Sequence, residues 1–442
     1  MKLTRKLSAL LAVLGLLLTL CSPMAAFAET PAVKAVQPQA EKMFYFGRSI
    51  LAKMDNGEAL CYAYDKLVAG CETPSNYVDI AHHTHRINSD EAILVWEAVT
   101  NDHPEYFWLS DGMSLWGSSA QITAFAPYIY DGIAAEQALL NARVAELTAG
   151  LNGKSDYEKS LILHDRVCDA VVYTGSSYDQ NVIGSLVMGK AVCAGYARGY
   201  QLLLQSVGIP AYVVTGHSKG QAHAWNLVEL DGEQYYTDVT WDDQNDLGDY
   251  IYYAYLNVTY AQMVEDHTLE SFADYLPKTT ATAANYHTVH GTAMELPNPD
   301  KIAELYEAGV PIRLYMTGDQ SAFINTLSSA LSEVINIVAC PYSGYSCSTG
   351  YLGREIILNL TVTKPHSYGG GNVCTNCGHV KENGVLPGDA DGNGSVNNRD
   401  LGLMQRYVNE WDVTIDLVAA DLDGNGKTNN RDLGQLQRIL NG

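Results

Sequence analysis

The central part of the chain changes from a helical to an extended pattern of apolar positions. Between Cys193 and Val207, apolar and small residues recur at helical spacing, and Gly208 ends the pattern with Pro210 beyond it. This pattern predicts a helix with a glycine stop. Cys193 would then lie at the N-terminus of the helix, where the partial positive charge of the helix dipole stabilises a thiolate.

Three apolar stretches follow this helix. Residues 211–215 predict a buried strand, and residues 222–230 and 233–239 predict two strands joined by an Asp-Gly turn. In this arrangement His223 and Asp238 would face each other across one antiparallel pair, an arrangement that can bring them within hydrogen-bond reach.

The flanking regions are predicted to be mixed in character. Residues 42–147 form a helical, aromatic region that includes an amphipathic helix within 90–109. A capping box, with Ser155 as N-cap and Glu158 as its partner, predicts the start of a helix over 155–172. Further on, residues 295–363 alternate helix, strand, helix and strand, at 299–308, 312–316, 321–334 and 355–362.

The N-terminus and the net charge indicate an exported protein. Three basic residues precede the apolar run 7–20, and Ala26-Phe27-Ala28 offers a cleavage site, so residues 1–28 are predicted to be a secretory signal peptide. The formal net charge of the whole chain is −23 at pH 7. Such an acidic chain argues against binding to nucleic acid and against purely electrostatic binding to anionic membranes.

The central region also supplies a set of residues suited to acyl transfer. A thiol is a good nucleophile only as thiolate, so it needs a base beside it, and an imidazole base needs an acceptor that fixes its tautomer. Cys193, His223 and Asp238 occur in that order, in the stretches GKAVCAGYAR, QAHAWNLV and YYTDVTWD.

These motifs resemble the transglutaminase-like superfamily, which shares a papain-like fold. The matching pieces are AVCAGYA, GIPAYVVTG, HAWN, and the aspartate with TWD after it, within about residues 161–255. The resemblance implies that Cys193, His223 and Asp238 form a catalytic triad. It leaves the reaction open, because the superfamily resembles both proteases and acyl-transferring cross-linkers.

A tandem repeat occupies the C-terminal region. Residues 388–409 recur 32 positions later as 420–441, and each copy begins with D-x-D-x-N-G, the start of an EF-hand-type calcium loop. Ca²⁺ prefers six to eight hard oxygen ligands, which such a loop presents at alternate positions. The predicted ligands are Asp389, Asp391, Asn393, the Ser395 carbonyl, Asn397 and Asp400 in the first loop, and Asp421, Asp423, Asn425, the Lys427 carbonyl, Asn429 and Asp432 in the second.

This repeat resembles a type I-like dockerin, with Asp rather than Glu at the twelfth loop position. The resemblance implies two calcium ions and a cohesin module of a scaffold protein as partner. It also implies partner contacts by equivalent residues in the two repeats. These are Asn398, Arg399, Gln405 and Arg406 in the first, and Asn430, Arg431, Gln437 and Arg438 in the second.

Eight cysteines follow the predicted signal peptide, and their pairing cannot be deduced from spacing alone. Cys374 and Cys377, with His366 and His379 nearby, offer half of a zinc ribbon, but the second pair of ligands is not obvious. A local disulfide or two thiols in a linker are the alternatives.

The predicted fold class is α+β: a papain-like transglutaminase core with a helical N-terminal lead, a small α/β appendage and an all-α calcium-binding dockerin. The predicted segments are the signal peptide (1–28), the helical N-terminal region (29–150), the core (151–290), the appendage (291–363), a linker with CxxC (364–385) and the dockerin (386–442).

The predicted function is a secreted thiol-dependent acyl-transfer enzyme, either a peptidase or transglutaminase-like. Its dockerin would attach it to a cohesin-bearing, cellulosome-like scaffold outside the cell. The alternative is a non-catalytic module that binds a peptide or cell-wall stem on the same scaffold. Glycoside hydrolysis is less favoured, because no pair of carboxylates stands out for it.

Overall fold

The computed structural model describes residues 45–244, 250–367, 374–377, 387–392, 395–409, 413–422 and 427–441. The predicted signal peptide and three predicted calcium ligands, Asn393, Asp423 and Asn425, lie outside these ranges. Within them, no helix is both long enough and apolar enough to span a membrane. The chain divides into two compact units, one of residues 1–229 and 269–276, the other of residues 230–268 and 277–442.

The N-terminal part of the first unit is largely helical, as predicted, and it also contains a small sheet. Its first helices are α1 (Phe46–Leu51), α2 (Gly57–Cys71) and α3 (Ser89–Asp102). The sheet is antiparallel, in the order β1-β3-β2, with strands β1 (Val78–Asp79), β2 (Met113–Ser118) and β3 (Gln121–Pro127). The sequence pattern did not predict this sheet.

The rest of the first unit contains the helix predicted over 193–207 and the strands predicted over 211–215 and 222–230. After α4 (Ile133–Leu147), helix α5 (Asp156–Ala170) begins at the predicted capping box of Ser155 and Glu158. A parallel pair of short strands, β4 (Val172–Tyr173) and β5 (Lys190–Ala191), encloses a π-helical turn at Ile183–Met188. Helix α6 (Cys193–Ser206) then leads into an antiparallel hairpin of β6 (Ala211–Ser218) and β7 (Gln221–Leu230).

The second unit begins with short elements. They are β8 (Glu233–Thr237), α7 (Val239–Asp242), α8 (Tyr260–Met263), β9 (His267–Leu269) and α9 (Tyr286–Val289). The strand predicted over 233–239 therefore ends two residues early. It ends there because the side chain of Asp238 accepts hydrogen bonds from the Thr240 and Trp241 N–H groups and starts a helix.

The predicted appendage forms a four-stranded sheet with two helices. The strand order is β10-β11-β13-β12, for β10 (Ala293–Met294), β11 (Ile312–Met316), β12 (Tyr345–Leu352) and β13 (Glu355–Val362). Helices α10 (Pro299–Glu307) and α11 (Gln320–Val338) share one buried apolar core with these strands. Helix α11 extends four residues beyond the predicted end, and β10 and β12 are additional strands.

In their described residues, the C-terminal repeats form three helices around a small core. Helices α12 (Asn398–Val408) and α14 (Asn430–Asn441) follow the two loops, and a short helix α13 (Leu417–Ala420) precedes the second loop. The buried core consists of Ala390, Met404, Ala420 and Leu436. Since so small a core contributes little stability, metal binding is expected to supply much of the folding free energy of this module.

Candidate active site

Cys193 is the first residue of α6, as the sequence pattern predicted. Val192 precedes it in extended conformation as the N-cap residue, and the Cys193 side chain is half-buried. At this position the unpaired N–H groups of the first helical turn and the helix dipole both favour a negative charge. The location therefore suits a thiolate nucleophile, while the catalytic role of Cys193 stays a prediction.

Two glycines allow the beginning of α6 to lie unusually close to the preceding chain. A Cβ atom on Gly195 would lie 2.4 Å from the Asp179 carbonyl oxygen, and one on Gly199 would lie 2.7 Å from Ser185 Oγ. The Val192 N–H also donates to the Asp179 carbonyl, at 3.1 Å. The G-x-x-x-G spacing, which sequence reasoning did not use, thus fixes the segment on which Cys193 stands.

The hairpin that carries His223 packs against the same helix. Ala197 of α6 forms a buried cluster with Val213 and Ala224, and the Asn226 side-chain amide donates to the Ala197 carbonyl at 2.9 Å. His223 is half-buried on β7, opposite Gly216 of β6. Its ring stacks on the buried Trp225 with a centroid distance of 5.9 Å. The HAWN motif therefore combines the candidate base with two residues, Trp225 and Asn226, that hold its strand in place.

Asp238 is fully buried and binds a second histidine that the sequence reasoning missed. Its Oδ1 accepts the N–H groups of Thr240 and Trp241, at 3.0 and 3.1 Å, while its Oδ2 lies 3.0 Å from His267 Nε2. The other ring nitrogen of His267, Nδ1, lies 2.7 Å from Asp266 Oδ1. Asp238, His267 and Asp266 thus form a continuous chain of hydrogen bonds.

This chain changes the protonation of His267. Burial on its own would lower the pKa of His267, but the hydrogen bonds to Asp238 and Asp266 outweigh burial and raise the pKa above its usual value. Two carboxylates around one imidazole favour its charged form. The Asp266-His267 dipeptide is the only sequence signal for this arrangement, and adjacency alone does not single it out.

Each of the three predicted catalytic residues therefore has a defined position within its own unit. Cys193 and His223 belong to the first unit and Asp238 to the second. The expected approach of His223 and Asp238, and the assembly of all three into one triad, stay predictions.

The described part of the first predicted calcium loop brings three carboxylate side chains together. Carboxylate oxygens of Asp389, Asp391 and Asp400 all lie within 4.8 Å of one another, an arrangement and a donor set that fit Ca²⁺. The buried Asp400 also accepts the Asp391 and Asn397 N–H groups, at 3.2 and 2.9 Å, and so closes the loop. Two further predicted ligands, Asn397 and the Ser395 carbonyl, lie next to this cluster in the chain. The Asn397 side-chain amide donates a hydrogen bond to the Ser395 carbonyl at 3.2 Å.

The second loop repeats two of these contacts, while the other donor to its aspartate is the second loop residue, Leu422, and not the third. Asp432 is buried and accepts the Leu422 and Asn429 N–H groups, both at 2.9 Å. The Lys427 carbonyl accepts the Asn429 side-chain amide at 3.1 Å, the same contact as in the first loop. The short Asp at the twelfth loop position therefore has the same local role in both repeats.

The residues predicted to contact a partner are all exposed. They lie at the beginning and along the length of α12 and α14, clear of the core, and comprise Asn398, Arg399, Gln405, Arg406, Asn430, Arg431, Gln437 and Arg438. Arg399 Nε forms an ion pair with Asp391 Oδ2 at 3.0 Å, which links the exposed face to the first loop.

Solved structures with some similarity include a protein described as a TGase, with 16% identity and a TM-score of 0.23, covering 29% of this chain and 43% of that chain. Another, described as a candidate cysteine protease from Cytophaga hutchinsonii, has 20% identity and a TM-score of 0.21, covering 24% and 37%. A third, a candidate protease from Parabacteroides distasonis, has 13% identity and a TM-score of 0.20, covering 56% and 55%. The chain thus spans between 37% and 55% of the length of these structures.

Family comparisons give a clear division of the sequence. The model of the transglutaminase-like superfamily matches residues 142–240, and the model of the dockerin type I domain matches residues 387–441. No curated protein matches the chain. Type I dockerin domains generally bind calcium, and a dockerin implies a cohesin partner. The chain therefore carries a transglutaminase-like domain and, towards its C-terminus, a type I dockerin domain.

Proposed function

We propose that this chain is a secreted, thiol-dependent acyl-transfer enzyme that docks on a cohesin-bearing scaffold of the cellulosome type. The observation that carries the proposal is the position of Cys193 as the first residue of α6, on a segment held by close glycine packing. The hairpin with His223 packs on that same helix. Together these features support a nucleophile with a nearby base.

In the proposed reaction, the Cys193 thiolate adds to the carbonyl carbon of an amide or ester. His223 takes the thiol proton and then transfers it to the leaving amine or alcohol, whose departure forms an acyl-enzyme. Asp238 orients the His223 imidazole and stabilises its charged form. The acyl group then passes to water, as in a peptidase, or to an amine, as in a transglutaminase.

Labelling with iodoacetamide near neutral pH, followed by peptide mapping, tests the nucleophile. Cys193 should react well before Cys61, a matched comparison because it is also half-buried but lies inside α2, where burial raises its pKa. Cys193→Ala should abolish turnover of casein and incorporation of a fluorescent amine while leaving the thermal unfolding curve unchanged. Cys61→Ala should retain both activities.

The same pair of assays separates the two acyl acceptors. Casein cleavage without amine incorporation identifies a peptidase, and amine incorporation identifies a transglutaminase. Equal labelling of Cys193 and Cys61, with full activity in Cys193→Ala, would contradict the proposal. The alternative is a non-catalytic module that binds a peptide or cell-wall stem. It predicts that neither activity is present and that Cys193→Ala still binds the peptide or stem.

The docking part of the proposal concerns the two repeats. Each would hold one calcium ion, and the exposed residues of α12 and α14 would contact the cohesin. Because the two helices present the same residues at equivalent positions, the module should bind in two orientations related by a pseudo-two-fold axis. Either face should then be sufficient for binding.

Titration against a type I cohesin tests this symmetry. Replacing Asn398, Arg399 and Arg406 by alanine should leave the affinity nearly unchanged, and so should replacing Asn430, Arg431 and Arg438. The combined variant should not bind. Loss of binding from one set alone would show that only one face is used.

A further inference from the structure

Cys340 meets three further potential metal ligands, from residues 366–377, beside the end of α11. Cys340 Sγ lies 3.7 Å from Cys374 Sγ and 3.6 Å from His366 Nδ1, and Cys377 Sγ lies 3.4 Å from the same Nδ1 atom. All four ligand atoms lie within 4.8 Å of one another. Cys340 and Cys374 are buried, His366 is half-buried and Cys377 is exposed.

These separations match those of ligands around a tetrahedral zinc ion. With Zn–S bonds of about 2.3 Å and Zn–N bonds of about 2.0 Å, neighbouring ligand atoms lie roughly 3.5–3.8 Å apart. A disulfide would instead need about 2.05 Å between sulfur atoms, far less than the 3.7 Å between Cys340 and Cys374.

We propose that Cys340, His366, Cys374 and Cys377 form a structural zinc site. Three thiolates and one imidazole are a typical closed set for structural zinc, in which no position remains open for a substrate or water. The sequence placed His366 near Cys374 and Cys377 but did not connect them with Cys340, which lies 26 positions before His366.

The backbone positions these ligands independently of any ion. The Cys340 N–H donates to the Lys364 carbonyl and the His366 N–H donates to the Val338 carbonyl, both at 2.9 Å. These bonds flank an antiparallel bridge between Ala339 and Pro365, so the first two ligands stand on paired segments.

The CxxC segment is attached to the same place. The Thr375 N–H donates to the Ser367 carbonyl at 2.8 Å, and the Ser367 N–H donates to Cys374 Sγ at 3.4 Å. An N–H bond to a sulfur atom stabilises the thiolate form that zinc requires. The site would thus fasten the beginning of the predicted linker to the end of α11.

Elemental analysis of the full-length protein, purified under reducing conditions with zinc available, tests the proposal. We expect one zinc ion per chain in the wild type and in Cys347→Ser, a matched control because Cys347 is a half-buried cysteine of the same appendage. Cys377→Ser and Cys340→Ser should each lower the zinc content severalfold. Cys377→Ser is the milder change, because its side chain is exposed.

Cobalt substitution gives a second measurement that does not depend on how the variants fold. Co²⁺ added to the metal-free wild type should produce the visible bands of tetrahedral cobalt and a thiolate-to-cobalt charge-transfer band, and zinc should displace both. If the metal-free protein shows no such spectrum with Co²⁺, the proposed site is wrong. Iron in place of zinc, or a mass two hydrogens lower that maps to a Cys374–Cys377 disulfide, would also overturn the site.

Discussion

Replacing Asp238 by asparagine separates its contribution to the local fold from its proposed role beside His223. The asparagine oxygen can still cap α7, because asparagine and aspartate are equally good caps. The Oδ2 atom of Asp238 is replaced by an NH₂ group, which can no longer accept the charged hydrogen bond from His267 Nε2 at 3.0 Å. Hydrogen bonds to charged groups contribute about 1.5–3 kcal/mol, so the free energy of unfolding should fall by about that amount at acidic pH.

The loss of stability in Asp238→Asn should be larger at acidic pH than at alkaline pH. Because the pKa of His267 is raised in the folded protein, its charge stabilises the fold fully below the unfolded-state pKa of about 6.5. This stabilisation disappears as the pH rises through the folded-state pKa. Asp238→Asn retains Asp266 but lacks the second carboxylate, so urea unfolding should show a larger loss at about pH 5.5 than at about pH 9.

Turnover provides the second part of this test. If Asp238 orients His223, the asparagine variant should lower kcat by about 10⁴-fold, by analogy with other triads. Asp242→Asn is a matched control, since Asp242 is buried in the same short helix and its Oδ1 accepts the Tyr255 N–H at 3.0 Å. The control should lose stability without the additional pH dependence.

Two results would refute this reasoning separately. An equal loss of stability for Asp238→Asn at both pH values would mean that His267 is not charged in the folded protein. Unchanged turnover would mean that Asp238 serves the local fold and does not orient the catalytic base.

Three further predictions concern packing, charge and calcium. Gly195→Ala should destabilise the first unit by about 1–3 kcal/mol and reduce turnover, because the new Cβ would lie 2.4 Å from the Asp179 carbonyl oxygen. Gly402→Ala is the control in thermal unfolding and should be neutral or stabilising, because open space surrounds its Cβ. Glu355→Gln should lower the free energy of unfolding in urea by about 3–5 kcal/mol, since it leaves the buried Arg313 without its carboxylate partner at 2.7 Å. Glu265→Gln, at the more exposed pair with Arg354, should lower it by about 1 kcal/mol or less. EGTA should unfold the dockerin, seen by circular dichroism, and leave thiol labelling of Cys193 unchanged; activity that is lost with EGTA and regained with Ca²⁺ would contradict this separation.

The sequence was sufficient to predict features that depend on local pattern. Apolar periodicity with Gly208 as a stop places Cys193 at the beginning of α6, and the capping box places Ser155 before α5. The repeat predicts the two loop-helix units because each loop and its helix are contiguous. In each case the residues that determine the structure lie within one or two helical turns of one another.

The features that could not be predicted depend on tertiary contacts or on competition between local conformations. Asp238 looked like part of a strand, but its side chain caps a helix, and no periodic pattern distinguishes these two outcomes. His267 meets Asp238 across 29 positions, and Cys340 meets Cys374 across 34. Sequence spacing carries no information about such pairs, because folding of the intervening chain brings them together.

The position of β13 has a mechanical consequence for a protein held by its C-terminal module. The chain continues from β13 towards the dockerin, and β13 lies between β11 and β12 rather than at the edge of its sheet. Tension from the dockerin would first meet the paired segments at Ala339 and Pro365. Tension that passes them would load the hydrogen bonds of β13 with both neighbours in shear, so that many bonds share the force at once. An edge strand would share the same load with one neighbour only. If the chain is held at its dockerin as proposed, β13 would therefore pass force to its sheet through a strand that is bonded on both sides.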